Sequence, residues 1–231
     1  MRVPVVLGRL AESLPDGVEL TVLPAHGTAL LADRGGVREL AGDPDLLRFI
    51  DDGQRARYLI GDAATSAERP ANATVKVGVV RPHTAFTPHA HGAEHVVLSL
   101  GYASCGMHDP ATDRRVDVPL RPGWMVRIPP MLPHSFGNRA GHPLLILAAN
   151  TGTGLDHPDY AITAAEAERR ARTPVAVGAG QTGAAAGGGV DFAALAITLR
   201  RLERSPGPMP LGARDRVAAA LRRLAGRLER T

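Results

Sequence analysis

Residues 83–101 read HTAFTPHAHGAEHVVLSLG, and the placing of the histidines in this stretch decides how the rest of the chain is read. On an extended strand, residues two apart share a face, so His89 and His91 can chelate one ion side by side. Gly92-Ala93 makes a tight turn, and Glu94 to Leu100 reads as the next strand, closed by Gly101. Either Glu94 or His95 can supply a further ligand from that strand. Glu94 shares a face with Val96, Leu98 and Leu100, whereas His95 shares one with Val97 and Ser99. The more apolar face belongs in an interior, which points Glu94 inward and His95 outward.

From Thr74 to Asn150 the chain breaks into short β-type runs, TVKVGVV, EHVVLSL, YASCGMH, RRVDVPL, WMVRIP and PLLILAAN, separated by Gly, Pro and Asp. So many short runs at this spacing indicate an antiparallel sandwich or barrel. His134 follows the Pro-rich turn Ile128 to Pro133, which carries its strand back across the barrel as a third imidazole for the His89 and His91 pair.

Over about Val77 to Asn150 the chain resembles the cupin superfamily. The second motif of that family runs Gly, five residues, Pro, one residue, Gly, two residues, His, three residues, Asn; Gly123, Pro129, His134 and Asn138 match it at every spacing, with Met131 in place of the inner Gly. The first motif runs Gly, five residues, His-x-His, three or four residues, Glu, six residues, Gly. His89, His91, Glu94 and Gly101 match it, with His83 at the leading Gly position and only Gly92-Ala93 between His91 and Glu94. His95 restores the three-residue spacing and stays open as the alternative to Glu94.

The resemblance implies a mostly β fold, a double-stranded β-helix (jelly-roll) barrel, holding one divalent transition-metal ion with His89, His91, His134 and Glu94. Imidazole plus carboxylate suits Fe(II), Mn, Ni, Cu or Zn, and about two coordination positions stay open for a small anionic or chelating substrate, or for substrate beside O2. The leading expectation is an Fe(II)-dependent dioxygenase. The alternatives are a metal-dependent isomerase or lyase with Glu94 or His83 as base, and a non-catalytic ligand-sensing or assembly module. If the strand through His83 is regular, Arg81, His83 and Thr87 face the ligands; Arg81, and likewise Arg127, could then hold a substrate carboxylate, and His83 could move a proton.

Residues 1–70 read as a mixed extension covering one end of the barrel. Val18 to Leu23 and Ala29 to Ala32 suit short strands, and Asp43-Pro44 signals a helix through Ile50. Residues 71–152 form the barrel. Within residues 153–189, Thr163-Ala-Ala-Glu166 is a capping box opening a helix through Arg172, and 178–189, GAGQTGAAAGGG, reads as a flexible linker that leaves the tail separable. In residues 190–231, apolar stripes at Phe192, Leu195, Leu199 and Leu202 and at Val217, Leu221, Leu224 and Leu228 predict an amphipathic helical hairpin, its stripe closing over the barrel or over a second copy in a homodimer.

Composition excludes other classes. Aromatics are 3% of 231 residues, too few to stack successive bases. The net charge of +4 is concentrated in the tail, where residues 200–231 carry nine Arg against three acids, so a nucleic-acid partner is not expected. A single cysteine, Cys105, and an opening without a secretory apolar core point to the cytoplasm, and no apolar run reaches membrane-spanning length. Cys105 reads as a small buried thiol, and Tyr102 and Trp124 as packing residues.

Overall fold

The computed structural model describes residues 3–23, 29–42, 46–48, 50–51, 53–61, 71–109, 112–155, 161–173, 190–205 and 207–228. The chain opens with helix α1 (Val3–Ser13), whose Leu7 and Ala11 are buried one turn apart. Strands β1 (Leu20–Val22), β2 (Leu30–Asp33) and β3 (Gly36–Glu39) form a small antiparallel sheet. A 3-10 turn at Leu40–Gly42 leads to β4 (Leu47–Arg48) and β5 (Gln54–Ile60).

The remaining strands are β6 (Ala71–Val80), β7 (His89–Ala90), β8 (Glu94–Ser99), β9 (Ala103–Asp109), β10 (Arg114–Leu120), β11 (Trp124–Ile128), β12 (His134–Asn138), β13 (Leu144–Leu155) and β14 (Ile162–Thr163). They pair antiparallel in two sheets, one ordered β10-β9-β12-β7-β14 and the other β11-β8-β13-β6-β5-β4. From β6 onward, successive strands pass from one sheet to the other at every step except β9 to β10. That path is a jelly-roll, the mostly β fold expected.

Between the sheets lies a core of Val80, Phe86, Val97, Ala103, Cys105, Ile128, Phe136, Ile146 and Ala148. At Gly78 the sheet has no room for a side chain, because an added Cβ would meet Ile146 Cγ1 at 2.8 Å. The small N-terminal sheet lies over the outer face of the six-stranded sheet, where Leu31, Leu40 and Leu46 pack on Val77 and Leu145. It therefore covers a face of the barrel, and β4 and β5 extend that same sheet ahead of residue 71. The helix expected through Ile50 gives way to β4: Leu47 and Arg48 pair with Ala56 and Arg55, and the ladder offered by β5 outweighs local helix signals. Asp43 and Pro44 themselves lie outside the described residues.

Helix α2 (Ala164–Arg172) starts as expected, with Thr163 Oγ1 accepting from Glu166 N at 3.4 Å. Helix α3 (Phe192–Glu203) buries Leu195, Ala196 and Leu199 against Ala164 and Ala167 of α2, Ile162 of β14 and Ala90 of β7. Its stripe thus covers the five-stranded sheet. The chain after α3 also lies on that sheet: a Cβ on Gly137 would stand 2.6 Å from Pro208 Cβ, and Arg139 Nε donates to Met209 O at 2.9 Å. Helix α4 (Ala213–Leu228) is tied down by Arg222, which bonds the Tyr102 hydroxyl, and by Arg121 to Asp215 at 3.1 Å.

The stripe of α4, Val217, Leu221, Leu224 and Leu228, is exposed, so of the two apolar stripes only that of α3 closes over the barrel. Periodicity marks an apolar face but not what covers it. The linker at 178–189 lies outside the described residues. Among those described, no helix is long and apolar enough to cross a membrane.

Candidate metal centre

Four imidazoles converge inside the barrel. His89 on β7 stands directly opposite His134 on β12, and His91 follows on the same face as His89, while Ala90 between them turns into the packing under α2 and α3. The ligand nitrogens of His89, His91 and His134 lie within 4.8 Å of one another. His95 reaches in from β8 of the facing sheet, its ring centroid 4.4 Å from that of His91 and 5.3 Å from that of His134. All four are buried, at 1%, 2%, 4% and 1% exposure for His89, His91, His95 and His134.

The outer ring nitrogens fix the inner ones. His89 Nδ1 is 2.8 Å from Thr87 O, and His134 Nδ1 is 2.9 Å from Leu132 O. His95 Nδ1 is 3.0 Å from Asn150 Oδ1. Each of these oxygens can only accept, so each Nδ1 carries the proton and each Nε2 presents a lone pair, the tautomer a metal ligand needs. Nε2 of His134 is buried without a hydrogen-bond partner among the described residues. Burial, and then the neighbouring imidazoles, hold His89, His91 and His95 well below the ordinary histidine pKa, and burial lowers His134 to about 4. The cluster is neutral at pH 7, as coordination requires. The donor set therefore fits a divalent transition ion.

Glu94 is not part of the cluster. Along β8, His95, Val97 and Ser99 are buried while Glu94, Val96 and Leu98 are partly exposed, the reverse of the alternation expected. Glu94 is ion-paired with Arg127, whose side chain is 76% exposed, on the outer side of the sheet. Apolar content does not mark the interior here, because part of the outer side is itself covered: Leu100 and Leu147 pack there with Leu31, Leu40 and Leu46. The spacing did hold a signal, since three residues separate His91 from His95.

Arg81 and His83 also lie outside the cluster. Both are exposed in the turn after β6, and Thr87 is held by Asp51, with Oγ1 donating to Oδ2 at 2.5 Å. The roles considered for Arg81, His83, Glu94 and Arg127 thus find no support in their placement. His83 and Met131 both adopt the left-handed backbone that favours glycine, with φ of +54° and +62°. Cys105 is buried, and burial pushes its thiol up, so it is no nucleophile. Tyr102 is buried as expected, whereas Trp124 is exposed with the Arg121 guanidinium over its ring.

The composition-level reading passed over Thr74, Lys76 and Asn150, three polar residues buried inside the barrel. Lys76 is the one lysine of the chain and interrupts an apolar strand, a signal the sequence carried.

No protein-family model matches the sequence, and no curated protein matches it. Several of the solved structures it resembles are cupin-domain proteins. A variant of oxalate decarboxylase from Bacillus subtilis aligns with 56% of this chain and 33% of its own, at 17% identity and a TM-score of 0.44. Vicilin from hazelnut (Corylus avellana) aligns with 49% of this chain at 19% identity and a TM-score of 0.40, and this chain spans 33% of vicilin's length. A cupin domain from Bordetella pertussis aligns over 43% of this chain and 93% of its own, at 15% identity and a TM-score of 0.34. These are partial and distant likenesses, and the fold stands on the chain's own strand order.

Proposed function

We propose that this chain is a metal-dependent enzyme that holds one divalent transition ion with His89, His91, His134 and His95, and acts on a small anionic or chelating molecule. The observation that carries this reading is the convergence of four buried imidazoles, three of them with Nδ1 committed to an acceptor so that Nε2 faces its neighbours. Histidine in place of the family's acid changes the metal preference. An all-imidazole set suits Fe, Cu, Ni or Zn, and Mn, which prefers oxygen donors, falls behind.

When bound, such an ion would supply Lewis acidity and, as Fe(II), one-electron chemistry toward oxygen. The chain's own residues give the ion no negative partner, because no Asp or Glu among the described residues is buried. Charge balance therefore favours an anionic substrate. With Glu94 and His83 on the outside, the interior also lacks the base that isomerisation or elimination was expected to use, which keeps the Fe(II)-dependent dioxygenase ahead. The barrel core, Phe86 and Phe136 among it, lies beside the imidazoles, with the Phe136 ring 6.0 Å from that of His134, and excludes water on that side.

The test is oxygen uptake by the Fe(II)-reconstituted protein across a panel of small carboxylates and diketones. Uptake that accompanies substrate loss supports the reading. A substrate converted at the same rate under argon contradicts it.

A further inference from the structure

The strand registers place a second group of polar side chains beside the imidazoles. His95 pairs with Asn150, and Asn150 pairs with Thr74, so these three stand in one row across β8, β13 and β6. In the next row Val97, Ala148 and Lys76 are paired in the same way. Val97 and Ala148 belong to the barrel core, so Lys76, two residues from Thr74 on the same face, also points inward. All three polar residues are at least nine-tenths buried. Among the described residues, Asn150 Nδ2 and Thr74 Oγ1 have no hydrogen-bond partner, although the other end of the Asn150 amide is engaged by His95. The Lys76 ammonium sits 5.8 Å from the Tyr58 ring centroid, and its field acts on His89, His91, His95 and His134 alike.

We propose that Thr74, Lys76 and Asn150 form an anion subsite inside the barrel, next to the imidazole cluster, which takes a carboxylate group of the substrate. Lys76 provides the charge, and Asn150 Nδ2 and the Thr74 hydroxyl provide two donors from adjacent strands. The donors are otherwise costly: a buried amide or hydroxyl left unpaired forfeits its hydration without return. Burial holds the Lys76 ammonium well below its ordinary pKa, and an anion beside it offsets that desolvation. A carboxylate fits better than a neutral group because the interior is lined with basic side chains and no buried acid among the described residues. The placing of the subsite beside the ion rests on the metal reading above; its capacity for anions does not.

Lys76 is the only lysine, so protein grown on 13Cε-labelled lysine gives one side-chain resonance. Acetate and oxalate are titrated into metal-free and Zn(II)-loaded protein, with zinc content measured separately. The expected result is a saturable shift of the Lys76 resonance in both forms, with affinity weakened about tenfold or more in Asn150→Leu and Thr74→Val. Lys76→Met is compared by anion-induced change in the Co(II) absorption spectrum, with Lys76→Arg as the charge-preserving variant should the methionine protein not fold. A Lys76 resonance that stays fixed while the Co(II) spectrum still responds overturns the subsite and leaves the metal site standing. A shift in protein that takes up no zinc or cobalt keeps the subsite and overturns the metal reading. No response of either signal to either anion overturns the subsite.

Discussion

His95 Nδ1 lies 3.0 Å from Asn150 Oδ1 across directly paired positions of β8 and β13, and both side chains are buried. This contact fixes the tautomer and the rotation of the His95 imidazole. Removing it with Asn150→Leu leaves the four imidazoles in place but frees His95 to turn. Zinc affinity should fall about 10- to 100-fold, the range for loss of an outer partner of a ligating histidine. Competition with a chromophoric chelator measures this, and an unchanged affinity would show that His95 is not a ligand.

His83 occupies a left-handed backbone at φ +54° in an exposed turn. For a residue with a Cβ this region costs about 1–2 kcal/mol, a cost glycine avoids. His83→Gly should therefore raise the urea midpoint, by about 1 kcal/mol in stability, and leave metal affinity unchanged. A loss of bound metal would return His83 to the site.

The buried imidazoles make the metal-free protein acid-sensitive. His134 has a folded pKa of about 4 against an ordinary 6.5, and burial depresses the other three in the same direction. Between these values the unfolded chain binds more protons than the folded one. Stability is therefore fully present above about pH 6.5 and is lost as pH falls toward 4. At about 1.4 kcal/mol per unit, His134 alone accounts for roughly 3 kcal/mol. Urea midpoints of metal-free protein should drop through this window, and a midpoint flat from pH 7 to pH 4.5 would contradict the burial of the cluster.

Helix α3 is part of the packed body. Leu195, Leu199 and Leu202 are buried, at roughly 2 kcal/mol for each leucine. A chain cut after Arg172 should be insoluble or unfold at markedly lower temperature, as read by circular dichroism. A truncated chain that melts with the full one would restore the separable tail.

How much of this was legible in the sequence varies by the kind of signal. The strands and the positions of His89, His91 and His134 followed from residue types and fixed spacing, which depend on local geometry alone. The inward residue of β8 did not, because parity needs to know which face is solvated, and part of the outer face is covered by Leu31, Leu40 and Leu46, far away in the chain. Arg81 and His83 were misplaced for a related reason: the strand breaks at the turn containing Pro82, and a face argument does not survive the break. The polar row of Thr74 and Asn150 becomes visible only once the register of β6, β13 and β8 is known.

The proposed site has four histidines, and not Glu94, around one metal ion. It is tested most directly by metal analysis of untagged protein dialysed against zinc, comparing wild type with His89→Ala, His134→Ala, His95→Ala and Glu94→Gln. About one ion per chain is expected in wild type and Glu94→Gln, and loss of the ion in the three histidine variants. Full zinc in His95→Ala together with loss in Glu94→Gln would contradict it.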